Sequence, residues 1–363
     1  MDGRRRFILN GATLVAAGAA AAVVDAPNVI AQPKLQWRMS TTWTPALDVL
    51  QGAAQRLGKI VDDMSGGRLK IQVFAGGELM PHFGCFDAAS QGTIECFMGA
   101  PYYWAGKDAG FQWFSAVPFG LNPQGQMTWY LDGGGLKLWE EAYAPFNLVP
   151  RPGPSTGVQM AGWFRKKINS IADYKGLKMR IPGLGGKIVG AAGGTVVLTP
   201  GGEIYTALER GVIDSAEWVG PHDDMKLGLH NAARYYTWPG WHEPGTTAEF
   251  GFNKKAHDAL PADLKAIIDY ACQSIQVSSL MEYEYKNTVA LLKLKTEYKN
   301  KVELTQLSAS TLKELKKLSD QVIKEESERT PMAKKAYASV TKLQKELNDW
   351  RLISEAAYHT SIA

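Results

Sequence analysis

Apolar and polar residues alternate along LQWRMS (residues 35–40) and again along LKIQV (residues 69–73), the period of two expected of strands that bury one face. Between them Leu50, Ala54, Leu57 and Val61 recur at helical spacing within residues 47–64, and Ser65, Gly66 and Gly67 end the stripe,. Strand, helix and strand in that order predict a βαβ unit and hence an α/β sheet. Further on, in GLKMRIPGLGGK (residues 176–187), Leu177, Met179 and Ile181 alternate with Lys178 and Arg180 until Pro182 and Gly183 stop the pattern. The segment reads as a half-buried strand running into a turn, with an arginine at its last polar position.

Two stretches a third of the chain apart resemble each other. AASQGTIECFMG (88–99) and ALERGVIDSAEW (207–218) each read as a helix end, a stop at Gly92 or Gly211, and a short strand carrying Ile94-Glu95 or Ile213-Asp214,. The repetition predicts two α/β lobes of similar wiring with a cleft between them. From about residue 254 the chain turns helical and rich in Lys and Glu. One stripe runs through Leu312, Leu315, Leu318 and Val322; Thr330-Pro331 then restarts a helix whose apolar face is Met332, Ala336, Val340, Leu343, Leu347 and Trp350,. Such a face either packs on its own domain or serves a dimer contact.

At 363 residues, 45% hydrophobic and 21% charged, the chain can build about two domains with a sizeable core,. A net charge of +4 without a Lys/Arg block interleaved with aromatics argues against a nucleic-acid partner,. Residues 1–31 differ in kind: Arg4, Arg5 and Arg6 precede an Ala-rich apolar stretch, and Val29 and Ala31 set up a small-residue cleavage pattern before Gln32,. This is the pattern of a secretory signal, twin-arginine-like in Arg4, Arg5, Phe7 and Ile8, with an uncleaved anchor as the alternative. Three cysteines, Cys85, Cys96 and Cys272, make neither a disulfide framework nor a zinc site; one pair at most can form, and Cys85 with Cys96 is the conceivable one,.

Several catalytic motifs fail their own structural tests. Gly153-Pro154-Ser155-Thr156-Gly157 fits G-x-S-x-G, but a strand-like segment follows the serine where a nucleophile elbow needs a helix. The glycines of residues 182–188 lack the spacing of a phosphate loop. His222, Asp223 and Asp224 are adjacent and cannot all face one ion on regular structure, so a solvated loop is expected there. What remains lies at strand ends, where ligands of open α/β sheets bind. Arg180, braced by Pro182, offers a planar guanidinium suited to grip a carboxylate by two parallel hydrogen bonds, although it could equally be a surface arginine. Glu217 and Trp218 end the next helix–Gly–strand unit, and WPGWHEPG sets Glu243 between aromatics and a Pro-Gly turn.

Here KMRIPG, ALERGVIDSAEW and YYTWPGWHEPGTTAEFGFNKKAHDALP resemble segments of the solute-binding proteins of tripartite ATP-independent periplasmic (TRAP) transporters, in the branch that binds 2-oxo or 2-hydroxy monocarboxylates. The similarity covers essentially the whole chain after the leader. It implies a two-lobe periplasmic binding protein fold of the α/β class, with the ligand cleft between the lobes and long C-terminal helices. The implied segments are 32–155 mainly in the first lobe, 156–255 mainly in the second, and 256–363 completing both. Arg180 in Arg180-Ile181-Pro182 is the implied substrate grip, and Gln159 the implied glutamine of the earlier strand. Glu217 through its side chain and Trp218 through its main-chain oxygen are implied metal ligands together with Gln159; Glu243, or else Glu249, completes the set. Tyr103, Trp104 and Trp43 are the implied aromatic walls. The resemblance further implies a membrane permease partner and a homodimer through C-terminal helices, with residues 310–358 as the candidate segment.

Charge balance points the same way. Two glutamates beside an organic anion repel it and each other unless something positive lies between. Arg180 balances one charge, and Na⁺ or Ca²⁺ held by oxygens would balance the rest. Without a metal, Glu217 and Glu243 would be pH-dependent structural acids. The competing readings are a metal-dependent lyase or hydrolase of small carboxylic acids, for which no His or Lys stands at a persuasive position, and a binding protein for a dicarboxylate or a sugar acid.

Overall fold

A computed structural model describes residues 34–362, so the expected leader lies outside the described residues. The opening unit forms as its pattern predicts. Strand β1 (Leu35–Thr41) leads through the helix Leu50–Met64 to β2 (Leu69–Phe74), and the two strands pair in parallel from Leu35 opposite Leu69. The helix buries Leu50, Ala54, Leu57 and Val61, the stripe read from the sequence.

Two sheets carry the two lobes. The first, in the order β2-β1-β3-β10-β4, adds β3 (Cys96–Gly99), β4 (Leu148–Ser155) and β10 (Thr247–Asn253), with β10 antiparallel to both β3 and β4. The second, β11-β9-β5-β8-β6-β7, is built from β5 (Gly162–Phe164), β6 (Lys178–Arg180), β7 (Thr195–Val197), β8 (Ser215–Ala216), β9 (Tyr235–Trp238) and β11 (Glu303–Gln306). Residues 247–253, expected with the second lobe, therefore pair into the first sheet. The chain crosses between sheets at residues 156–161 and returns at 239–246, because β10 supplies the antiparallel partner that both β3 and β4 lack.

The repeated stretches match bond for bond. Gly92 and Gly211 have φ of +76° and +70°, the left-handed conformation that ends a helix cheaply only at glycine. Gly92 and Thr93 donate to the carbonyls of Ala89 and Ala88, and Gly211 and Val212 to those of Leu208 and Ala207. Those caps also hold Ile94 and Ile213, so the strands begin two residues later than the sequence suggests, at Cys96 and Ser215. The glycines after Pro182 form no turn: Gly183–Ala191 is a helix that buries Leu184, Ile188 and Val189, and this burial outweighs poor propensity,.

The C-terminal helices cover both lobes. Within the helix Ala309–Ser327, Leu315 and Val322 pack with Ile181, Ile188 and Trp241 of the second lobe. In Pro331–Ile353, Met332, Ala336 and Val340 pack with Phe111, Phe114 and Trp129 of the first, whereas Trp350 at the far end of the expected face is 63% exposed. The helix Ala262–Thr296 runs along both lobes: Asp269 pairs with Arg151 of β4, and Tyr283 donates to Asp223. All three cysteines are buried and free, so Cys85 and Cys96 do not pair. No helix of the described residues is long and apolar enough to cross a membrane.

Candidate functional site

The register of the second sheet brings the first two site residues together. β6 lies parallel to β8 with Arg180 opposite Ala216, and the amide of Glu217 donates to the Arg180 carbonyl at 3.2 Å. Both side chains consequently leave the same strand ends. Arg180 is 1% exposed; its Nε donates to the Thr199 carbonyl at 3.2 Å, and its Nη1 to the Glu217 carbonyl at 3.0 Å and to the Glu217 carboxylate. The guanidinium lies 5.0 Å from the centre of the Trp218 ring, a cation–π contact,. Nη2 alone has no hydrogen-bond partner. The free two-pronged fork expected from the sequence is thus reduced to one buried, unpartnered nitrogen, because Glu217 engages the other,.

Gln159 arrives from the crossover. Residues 156–161 are fastened to the second lobe by main-chain bonds from Met160 to Val219 and from Ala161 to Thr237, while the Gln159 amide donates to the Glu243 carbonyl at 3.2 Å. Gly240 makes that approach feasible, since a Cβ there would lie 2.1 Å from the Gln159 carbonyl oxygen. The Gln159 side-chain nitrogen donates to the hydroxyls of Thr156 (3.1 Å) and Thr246 (3.2 Å), which leaves its buried Oε1 with no partner.

Glu243 joins the same cluster. It is buried and accepts from the Thr246 hydroxyl. One side-chain ligand atom from each of Glu217, His242 and Glu243 falls within a span of 4.8 Å. Burial pushes the Glu217 carboxyl up to about 7, against the opposing pull of Arg180. Glu243 is likewise pushed up to about 7, first by burial and then by the charge on Glu217. His242, whose Nε2 lies 3.3 Å from Glu217, is pushed down to about 4 by burial and so carries no charge near neutrality.

A cation fits these donors. One arginine faces two buried carboxyls, the neighbouring histidine is neutral, and a buried amide oxygen lacks a donor; an ion that prefers oxygen would answer all three conditions. Side-chain oxygens of Glu217 and Glu243, and the unpartnered Oε1 of Gln159, could hold such an ion, with the main chain of Trp218 next in sequence to Glu217.

Beside the cluster lies a tight hollow of about 20 Å³, room for about one water,. Arg180, Gln159, Trp218, Tyr103 and Trp43 all line it, so residues far apart in sequence share one cavity. Trp43 packs edge-on to Trp218 and against Tyr103, each at 5.9 Å between ring centres. Trp104 does not line it. Its ring lies in the first-lobe core against Phe86 and Phe97, and its indole nitrogen donates to Glu249. Glu249 is therefore turned away from Glu243. Reading the sequence misses Tyr102, Thr156, Thr246 and His242 as site residues; Tyr102 and His242 adjoin residues that it assigns to the site, and Thr156 enters it only within the failed nucleophile motif.

Residues 221–226 correct a second expectation. They form a short helix, not a solvated loop, with Asp223 and Asp224 fully buried and both carboxyls pushed up to about 7 by that burial. Asp224 accepts from the Val219 amide, the Trp163 indole and the Tyr236 hydroxyl, and Asp223 accepts from Tyr283. Buried donors, invisible in sequence, satisfy both oxygens of Asp224 and one of Asp223, whose Oδ1 has no partner,. His222 instead meets Asp48 at 2.7 Å, where Lys286 also pairs at 2.9 Å. Ser155 ends β4 with no helix after it, as the failed elbow test requires.

Comparison with known proteins adds independent evidence. The family model for bacterial extracellular solute-binding protein, family 7, matches residues 39–330. A monocarboxylate 2-oxoacid-binding periplasmic protein of Nostoc is 39% identical over 359 residues, spanning 98% of each chain. Among solved structures, a TRAP transporter solute-binding protein of Bordetella bronchiseptica, described as a mixed-occupancy dimer with copurified calcium and picolinate, has a TM-score of 0.88 at 37% identity over 91% of this chain and 97% of its own. A counterpart from Pseudoalteromonas atlantica with bound sodium and pyruvate has a TM-score of 0.87 at 36% identity, over 90% of this chain and 99% of its own.

Proposed function

Because the chain belongs to family 7 of the bacterial extracellular solute-binding proteins, we propose that it captures a small 2-oxoacid, pyruvate or a near relative, together with Na⁺ or Ca²⁺, and delivers it to the membrane subunits of a TRAP transporter. A 2-hydroxyacid of the same size fits the same description. One observation carries the proposal: the unpartnered Arg180 Nη2 and Gln159 Oε1 share a hollow whose margin holds two buried, undercompensated glutamates. A ligand carboxylate would satisfy the first, and a cation the second and third. A cation held by these residues would supply the positive charge that lets an organic acid sit beside Glu217 and Glu243,.

The protein's own groups do the remaining work. Arg180, fixed by Thr199 and Glu217, presents a charged donor without losing further side-chain freedom,. Trp43, Tyr103 and Trp218 exclude water and so strengthen that contact,. We assign no chemical step, since His242 is buried, neutral and held against Glu217. The strand pairing supports assigning residues 34–155 and 247–253 mainly to one lobe and 156–246 to the other, with the later helices completing both. The expected homodimer through residues 310–358 is supported by the exposure of Trp350, Leu352, Ile353 and Tyr358 and by the dimeric Bordetella relative. Periplasmic location follows from the same family reading.

Titration calorimetry of protein stripped with chelator tests the proposal. Pyruvate should bind only after Na⁺ or Ca²⁺ is restored. Arg180→Lys, which keeps the charge but loses the planar donors, should weaken binding at least tenfold, and Arg180→Ala should abolish it. Unchanged affinity in either variant, or consumption of pyruvate over hours, would contradict the reading.

A further inference from the structure

The hollow has room for about one water,, so an acid the size of pyruvate reaches Arg180 only when a wall gives way. One short stretch of the first lobe holds such a wall against the second. Residues 42–49 link β1 to the helix Leu50–Met64. They are fastened to the first lobe from behind: the Thr42 amide donates to the Met98 carbonyl at 3.0 Å, the Gly76 amide to the Trp43 carbonyl at 2.8 Å, and Leu47 and Val49 are buried. Building on the 2-oxoacid reading, we propose that residues 43–48 are the gate of the hollow, in which Trp43 covers the ligand while two seats on the second lobe, Gly202 for Thr44 and His222 for Asp48, set how fast it leaves.

Gly202 carries the argument. It is the second residue of the helix Gly201–Glu209, a position where alanine would favour the helix over glycine. The neighbour across the lobe boundary explains the choice. A Cβ on Gly202 would stand 2.7 Å from the Thr44 methyl carbon, and among the described residues it would meet nothing else within 4 Å outside its own helix. An added methyl group is therefore harmless while the lobes are apart and obstructs Thr44 once they shut. Thr44 has only a short side chain to move, so the seal yields before the neighbour does.

Asp48 supplies the polar half of the seal. One of its oxygens meets the His222 ring nitrogen at 2.7 Å, and the other accepts from Lys286 of the helix Ala262–Thr296 at 2.9 Å. The His222 main chain is held from the same helix, its amide donating to the Asn287 side chain at 3.0 Å. A carboxylate accepting two such donors is bound more firmly than a neutral group would be. Trp43, at the other end of the stretch, lies edge-on to Trp218, and both line the hollow. Thr44, Asp48, Gly202 and His222 do not line it, so they act on the ligand through Trp43 and are positioning residues.

Rates measured on the calcium-loaded protein test the gate. Pyruvate release is followed with lactate dehydrogenase and NADH consuming what is set free, and association by stopped-flow tryptophan fluorescence. Gly202→Ala should release pyruvate about fivefold faster without associating more slowly, and the unliganded variant should unfold at no lower urea concentration than the parent. Adding Thr44→Ser, which removes the obstructing methyl group, should bring release back within about twofold of the parent. Asp48→Asn and His222→Ala should speed release about tenfold, whereas His222→Gln, which keeps a donor at the same reach, should stay within about threefold of the parent. Gly202→Ala releasing at the parent's rate, a fast rate that survives Thr44→Ser, or His222→Gln as fast as His222→Ala would overturn the gate while leaving 2-oxoacid capture standing. Failure of the parent to bind pyruvate at all would overturn both.

Discussion

Glu243 and Glu249 look interchangeable in the sequence, yet the fold gives them opposite surroundings. Glu243 shares a cluster with Glu217 and His242, whereas Glu249 is sealed among aromatics, accepts from the Trp104 indole and leaves its second oxygen without a partner. Burial pushes the Glu249 carboxyl up to about 8, although the hydrogen bond from the Trp104 indole opposes the shift. The folded chain therefore keeps a proton that the unfolded chain releases near pH 4.3, roughly. Stability tied to this group is fully present below that value and is lost as pH rises towards 8,. Glu249→Gln should accordingly gain over the parent by about 2–4 kcal/mol more at pH 8 than at pH 4 in urea unfolding. Arg180 and Glu217 were legible because each ends a patterned strand. Thr156, Thr246 and His242 were not, since what marks them is contact with residues far along the chain, which local pattern does not encode.

The repeated helix–glycine–strand unit was readable because its signal is local: a left-handed residue closes a helix, and only glycine adopts that geometry cheaply. Gly92 has φ of +76° and room for a methyl group, whose nearest neighbour would be the Asn253 amide nitrogen at 3.6 Å. Gly92→Ala should thus cost about 1–2 kcal/mol from backbone strain alone, measured as a lower urea midpoint with an unchanged slope. The helix Gly183–Ala191 was hidden for the opposite reason. Its glycines argue for a turn, and only the burial of Leu184, Ile188 and Val189 makes it helical. The short helix at residues 221–226 was hidden likewise, because partners from three other elements, Trp163, Tyr236 and Tyr283, accommodate its two acids.

Across the molecule, the expectation of two lobes followed from the similarity of residues 88–99 and 207–218, but the return of β10 to the first sheet depends on pairing that no local pattern records. The two lobes meet along the helix Ala262–Thr296, whose Ser279 hydroxyl accepts from the Ser155 amide at 2.9 Å, where β4 gives way to the crossover. Ser279→Ala would strand that buried amide and should lower stability by about 1–3 kcal/mol, read by chemical denaturation. The three sulfhydryls have a consequence of another kind. Cys85 and Cys272 are pushed up in pKa by burial, as is Cys96, so none presents a reactive thiolate,. An oxidising compartment finds nothing to cross-link in the folded chain, and maturation needs no oxidase. A thiol-specific dye would then stay dark on native protein and light up only as molecules unravel, which makes the wild-type chain its own unfolding clock.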